Sequence, residues 1–227
     1  MRPCEACIGE CCRCYFVNLN GHDVRRIAFA TGLPPSEFVV LGQEATATPA
    51  GLRLDATRTT FSLVLEKQPD ADGRQACVFL DVGPGGAGRC RVYESRPAAC
   101  RAFPARLLDN AVVFRDDIVC PQDSWTSPEP HPEAWRKVLL RSRMEWAVFA
   151  VVVARWNEKA AATPRGEMRT PEEFYDFLFV RYERIAALES QCARDMDEII
   201  ERWGQRSAAG QGLRWERFAA DIEAIAA

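Results

Sequence analysis

The chain is 227 residues long, 48% hydrophobic and 27% charged, with a formal net charge of −3. That length and apolar content are enough to bury a core without covalent staples, and the slightly acidic balance argues against a dedicated nucleic-acid binder, which would present a basic face. No run of about 20 apolar residues occurs, so no membrane-spanning helix is expected.

Taken in order, the chain opens on cysteine. Cys4, Cys7, Cys11 and Cys12 read Cys-x2-Cys-x3-Cys-Cys; Cys14 follows, and Cys77, Cys90, Cys100, Cys120 and Cys192 make up the ten. Residues 16–19 are a short apolar run. Asn20 is placed to cap a helix, with Asp23 three residues on. Val24, Ile27, Ala28 and Thr31 then repeat at helical spacing, and Gly32 closes the helix. His22 lies on it and is expected at the surface or half-buried. Pro35 starts a second short helix, expected to run through Leu41. Short strands are expected at residues 62–65, 76–80, 90–93 and 112–115. The glycine-rich loop 83–88 joins two of them. It lacks the lysine of a phosphate-binding loop and a strand follows it, so it reads as a hairpin connection. Pro97 is placed to open a short helix leading to Cys100.

Residues 121–132, rich in Pro, Ser and Asp, read as a linker or ordered loop. Helical periodicity follows. Trp135, Val138, Leu139, Trp146, Phe149, Val153 and Trp156 mark one helix from residue 132 to about 158. Thr170 and Pro171 open a second, with a stripe from Phe174 to Trp203 and Gly204 at its end; residues 213–225 form a third. Stripes of this kind are core or partner surface. Cys192 lies on the second stripe and reads as a buried apolar thiol. The fold class is therefore α+β. A small, irregular, cysteine-rich metal-binding domain with short strands and helices spans residues 1–121, and an α-helical region of about three helices spans residues 122–227.

Thiols packed as closely as those at the start repel once ionised, so either disulfides or a metal must hold them. A disulfide framework belongs to an oxidising compartment, reached through a signal peptide. Met1-Arg2-Pro3-Cys4-Glu5-Ala6-Cys7 shows neither an apolar segment nor a cleavage site, so a cytoplasmic location is expected. There a Cys-x2-Cys pattern reads as metal-binding or redox. A tight turn can aim Cys4 and Cys7 at one ion, and Cys11 adds a third donor. In extended backbone adjacent side chains point opposite ways, so Cys11 and Cys12 are expected to serve different sites, or different irons of one cluster. Distant cysteines, among Cys77, Cys90, Cys100 and Cys120, must complete the shells. Zinc and an iron–sulfur cluster both accept four thiolates, and spacing does not choose between them. The order reverses the Cys-x3-Cys-x2-Cys run of radical S-adenosylmethionine enzymes, which argues against a radical mechanism. Arg96 and Arg101 are the candidate cofactor-binding residues, as donors that offset thiolate charge near Cys100. With only His22 and His131 present, no histidine-based catalytic triad is expected.

Several separated motifs agree in order with a known family. They are Cys4-x2-Cys7-x3-Cys11-Cys12, Val17-Asn18-Leu19, His22-Asp23-Val24-Arg25-Arg26-Ile27-Ala28 and Cys77-Val78-Phe79-Leu80-Asp81, then Gly88-Arg89-Cys90-Arg91-Val92-Tyr93-Glu94-Ser95-Arg96-Pro97-Ala98-Ala99-Cys100-Arg101-Ala102-Phe103-Pro104. Together they resemble the YkgJ-like cysteine-cluster family, described as a zinc- or iron-chelating domain, over residues 4–121. The resemblance implies that Cys4, Cys7, Cys11, Cys12, Cys77, Cys90, Cys100 and Cys120 are metal ligands and that Cys14 is an extra. A related cluster, associated with an iron–sulfur centre, occurs in flagellin lysine N-methylase; that likeness does not by itself make this chain a methylase.

Two functions follow as expectations. The first is a cytoplasmic metal-thiolate protein, with a structural or redox iron–sulfur or zinc site and a helical region that docks an unknown protein or small-molecule partner. The alternative is an iron–sulfur-dependent, methylase-like enzyme that modifies a protein or small molecule. No acid–base pair or cofactor fingerprint supports the alternative, so its catalytic residues are unknown and the first reading is preferred. Neither a membrane nor a nucleic acid is expected as a partner.

Overall fold

The computed structural model describes residues 7–120, 132–191 and 200. Cys4, Cys192, His131, the stretch 121–131, the boundary expected between residues 121 and 122, and the helix expected at 213–225 lie outside the described residues. The chain is α+β. Short antiparallel strand pairs and short helices fill the first segment, and long helices fill the second.

The cysteine run forms a short helix, α1 (Glu10–Cys14). Helix α2 (Gly21–Thr31) follows, built as its sequence indicates. The Asn20 side chain accepts from the Asp23 amide at 3.0 Å, and Asp23 Oδ2 accepts from the Asn20 amide at 3.2 Å. This reciprocal cap satisfies two donors that a helix start leaves open. Gly32 ends α2 in the left-handed region, at φ 72°, where its amide reaches the Ala28 carbonyl.

The helix expected from Pro35 through Leu41 is replaced by a single 3-10 turn, Pro35–Glu37, and strand β1 (Val39–Gln43). Residues Val39, Val40 and Leu41 suit an extended pleat, and β2 (Phe61–Leu65) lies antiparallel beside them, with Leu41 opposite Leu63. Tertiary pairing outweighs the helix-start signal of the proline. The apolar run before α2 lies along the same strand, with the Leu19 amide on the Leu63 carbonyl and the Leu65 amide on the Val17 carbonyl, both at 2.8 Å.

The strand expected at 76–80 is two strands. β3 (Lys67–Pro69) pairs with β4 (Gln75–Cys77), and the chain then turns at Val78 to make β5 (Leu80–Val82), which pairs with β6 (Gly88–Cys90). The glycine-rich loop is thus a hairpin connection. Residues beyond Cys90 turn rather than continue the strand, as the Ser95 amide bonds the Val92 carbonyl at 3.0 Å. Pro97 opens α3 (Ala98–Ala102). A last hairpin joins β7 (Ala105–Leu108) to β8 (Ala111–Phe114) through Asp109 and Asn110, both at positive φ, as a tight two-residue turn requires.

Helices α4 (Pro132–Ala161) and α5 (Pro171–Gln191) pack on each other, and both pack on α2. One apolar core runs through both segments. Leu19, Val24, Ile27, Phe38 and Leu63 meet Leu140, Val153, Trp156, Phe174 and Tyr182 in it, all almost fully buried. Each such side chain contributes roughly 1.5–3 kcal/mol on burial. Polar contacts fix the register of α4. Trp156 Nε1 donates to the Arg53 carbonyl at 2.6 Å, and the Asn157 amide group bridges the Arg53 amide and the Gly51 carbonyl.

The tightest joint is between α2 and α5. A Cβ on Gly21 would run into the Tyr182 ring and lie 2.6 Å from its hydroxyl oxygen. Tyr182 is fully enclosed and has nowhere to retreat. Gly21→Ala is therefore expected to lower stability by about 1–3 kcal/mol, the usual range for overpacking. Thermal unfolding checks this; a midpoint unchanged from wild type would show that the joint is looser than described.

Candidate metal centre

The site begins with a glycine. Gly9 sits at φ 80°, in the left-handed region, and lets the chain turn from Cys7 into α1. Its amide donates to Cys7 Sγ at 3.2 Å. The turn is pinned to β6, because the Gly88 amide donates to the Cys7 carbonyl at 2.8 Å. A Cβ on Gly88 would lie about 3.0 Å from the backbone of Ile8 and Gly9, so a bare glycine allows this approach. One glycine of the 83–88 loop thus serves the cysteine turn.

Charge pairs hold α1 against the β3–β4 hairpin. Arg13 Nε donates to Asp70 Oδ2 at 2.8 Å, between side chains that are nearly buried. Arg74 makes a fork onto Glu10, and Lys67 Nζ donates to the Arg13 carbonyl at 2.5 Å. The Arg13 hydrogen bond holds the Asp70 carboxyl below its ordinary range.

Around this frame the thiols gather. The eight described cysteines carry no disulfide among them. Cys11 and Cys12 lie on α1, so the extended geometry expected for them does not apply; their thiols hydrogen-bond each other. The bond from Cys12 lowers the Cys11 thiol to about 7, while the Cys11 bond and burial push Cys12 up. Cys77 Sγ accepts from the Phe79 amide at 3.4 Å, yet burial and the neighbouring Cys90 and Cys11 raise it to about 11. Burial raises Cys100 too, with further upward pressure from Cys77, Cys11 and Cys90. Cys90 is raised by burial, against the pull of a Val92 amide and of Arg96. Cys11, Cys12, Cys77, Cys90 and Cys100 therefore share one neighbourhood, contributed by α1, β4, β6 and α3.

Cys7 and Cys120 are half-buried, and Cys14 is exposed, with Sγ 3.9 Å from Glu10. Among the described residues no three Cys, His, Asp or Glu side chains already form a shell that could hold an ion. The donor chemistry nevertheless fits zinc or iron: soft sulfur ligands, crowded and partly desolvated, whose charged forms are stabilised by a cation. When bound, zinc would supply a closed structural shell and iron–sulfur a redox couple.

The two arginines differ in placement. Arg96 stacks on the Tyr93 ring at 3.8 Å, and its charge favours the Cys90 thiolate. Arg101 reaches toward α4. Its Nη2 lies 3.0 and 3.2 Å from the two oxygens of Glu145 on α4. His22, expected at the surface or half-buried, is buried, with 8% of it exposed. Its Nε2 meets Glu189 Oε1 at 3.2 Å and its ring packs edge-on to Tyr182 at 4.8 Å.

Asp23 and Glu145 did not stand out in the sequence as site residues, and both border this neighbourhood. Asp23 is completely buried, and its Oδ1 accepts from the Ala98 amide at 2.7 Å and from Arg26 at 2.6 Å. Burial and the nearby Glu145 push its carboxyl up. Glu145 is 1% exposed and is approached by Arg101, Arg26 and Arg141. Burial raises it, but His22 and the three guanidiniums leave it below its ordinary value. The available signal was a carboxylate set inside the apolar stripe of α4, between Met144 and Trp146.

A protein-family model, CxxCxxCC, described as "putative zinc- or iron-chelating domain", matches residues 3–121. No curated protein and no solved structure matches the chain. Between the second and third cysteines this chain carries three residues, Ile8, Gly9 and Glu10.

Replacing a buried member of the group should cost metal, and replacing the exposed one should not. Cys100→Ala is expected to lower bound metal per chain by about half or more, since structural sites need their full four-ligand shell; Cys14→Ala is expected to bind as wild type does. Elemental analysis of the purified variants checks both. Equal loss in the two would remove the distinction drawn from burial.

Proposed function

The chain belongs to this zinc- or iron-chelating cysteine-cluster family, and on that premise we propose that it is a metal-thiolate protein whose zinc or iron–sulfur centre is held by Cys4, Cys7, Cys11, Cys12, Cys77, Cys90, Cys100 and Cys120. The centre has a structural or redox role in the cytoplasm, and the helical region presents the protein to a protein or small-molecule partner. The observation that supports this most is the burial of neighbouring thiols, which together with their nearness to one another raises four of the five. Several sulfurs brought together in a partly buried place are hard to ionise alone. A cation removes that penalty and gains the thiolates as ligands.

The roles of the chain's own groups follow from placement. The α1 turn and the β3–β6 hairpins bring sulfurs from distant positions together. Amides of Phe79 and Val92 point at Cys77 and Cys90 and stabilise their thiolate forms. Arg96 adds positive charge on the outside, stacked and so restrained. Binding to four thiolates contributes on the order of 10 kcal/mol or more, comparable to a whole domain's stability of roughly 5–15 kcal/mol.

Protein purified without oxygen is expected to carry stoichiometric zinc or iron, the iron form being brown and the zinc form colourless. After denaturation with a chelator, nearly all ten cysteines should titrate as thiols. A metal-free protein with four stable disulfides would overturn this reading.

A further inference from the structure

The five-residue helix α3 carries Cys100 and is held at both ends by buried carboxylates from other elements. At its start the Ala98 amide donates to Asp23 Oδ1 at 2.7 Å. Past the cysteine, Arg101 Nη2 grips Glu145 Oε2 at 3.0 Å and Oε1 at 3.2 Å. The two anchors are themselves joined through Arg26, whose Nη2 lies 2.6 Å from Asp23 Oδ1 and whose Nη1 lies 3.5 Å from Glu145 Oε1. Arg141 extends the chain of contacts from Glu145 to Glu189 at 2.8 Å. A helix of this length has too few internal bonds to fix its own position, so its place depends on these contacts.

Burying such a network is a poor way to gain stability. Well-packed apolar side chains of similar size do as well or better, because the desolvation of the charges offsets their attraction. What a carboxylate gripping a guanidinium adds is direction. Here that direction is imposed on residues 98 and 101, on either side of Cys100.

We propose that Asp23 and Glu145 are positioning residues of the thiolate site, holding the turn that carries Cys100, so that α4 is part of the metal centre although it contributes no sulfur. This rests on the metal-binding reading above. Glu145, in the helical region, thereby ties the retention of metal to the docking of α4 onto the cysteine-rich segment. The helical region is then required for metal retention and is more than a platform for partners.

The test uses the full-length, metal-loaded protein. Glu145→Gln, Asp23→Asn and Arg101→Gln are compared with Trp156→Phe, which removes a core hydrogen bond on α4 to the Arg53 carbonyl, away from α3. The rate of metal release to excess chelator is read well below each melting temperature, and amide exchange of residues 98–102 is followed alongside. Glu145→Gln and Asp23→Asn are expected to release metal at least about tenfold faster, the lower end of what outer partners of a metal site contribute, with faster exchange in α3. Glu145→Gln combined with Arg101→Gln should release no faster than the quicker single variant, because the two act as one contact. Trp156→Phe should melt lower yet release as wild type does. Variants that release at the wild-type rate, or a Trp156→Phe that releases as fast as they do, would overturn the proposal and leave metal binding standing. A wild type that retains no metal would overturn the metal-binding reading itself, and the proposal with it.

Discussion

Charge crowding among sulfurs is the constraint on which the rest depends. Five thiols from four elements share a partly desolvated place; burial and neighbouring sulfurs oppose the ionisation of Cys12, Cys77, Cys90 and Cys100, while the bond from Cys12 lowers Cys11. Such an arrangement is costly for a protein that has no use for it, since buried groups that could be charged need a partner. Much of the surrounding structure keeps those sulfurs together: the left-handed Gly9, the bare Gly88 that lets β6 approach the Cys7 turn, and the half-buried Arg13–Asp70 pair.

The second theme is continuity. Among its described residues the cysteine-rich segment has two-stranded pairs, short 3-10 turns and α-helices of five to eleven residues, with no large sheet to organise it. Two-stranded ribbons are marginal alone. Here they lean on α4 and α5 through one apolar core, and through polar contacts from Arg53, Gly51 and Leu54 to Trp156, Asn157 and Arg169. The network of Asp23, Arg26, Arg101 and Glu145 lies where this core meets the thiols. It is a direct non-covalent link between the helical region and the helix that carries a candidate ligand.

Much of this was legible in the sequence because it is local. The Asn20–Asp23 cap and Gly32 stop mark α2 to the residue; Pro97 and Pro171 mark the starts of α3 and α5. The cysteine spacing and the motifs around it carry the family's signature in the sequence itself. What failed to show was non-local. Residues 39–41 become a strand only because Phe61–Leu65 is there to pair with them. The backbone of Cys11 and Cys12 was expected to be extended, because nothing in four cysteines over nine residues announces a five-residue helix. Strand β7 has only a faint signal of its own, the Asp109-Asn110 turn between apolar runs. Arg101 neighbours Cys100 in sequence, and its guanidinium reaches Glu145, a carboxylate 44 positions away that no local pattern announces.

The central claim is that sulfur from these cysteines, and not oxygen or nitrogen, surrounds a metal in this protein. X-ray absorption at the zinc or iron edge of the purified full-length chain measures that shell directly. The expected result is a first shell of sulfur at about 2.3 Å, the distance of a metal–thiolate bond. A first shell made up of nitrogen or oxygen scatterers at about 2.0–2.2 Å would contradict the claim, because it would place the metal on histidine, carboxylate or water.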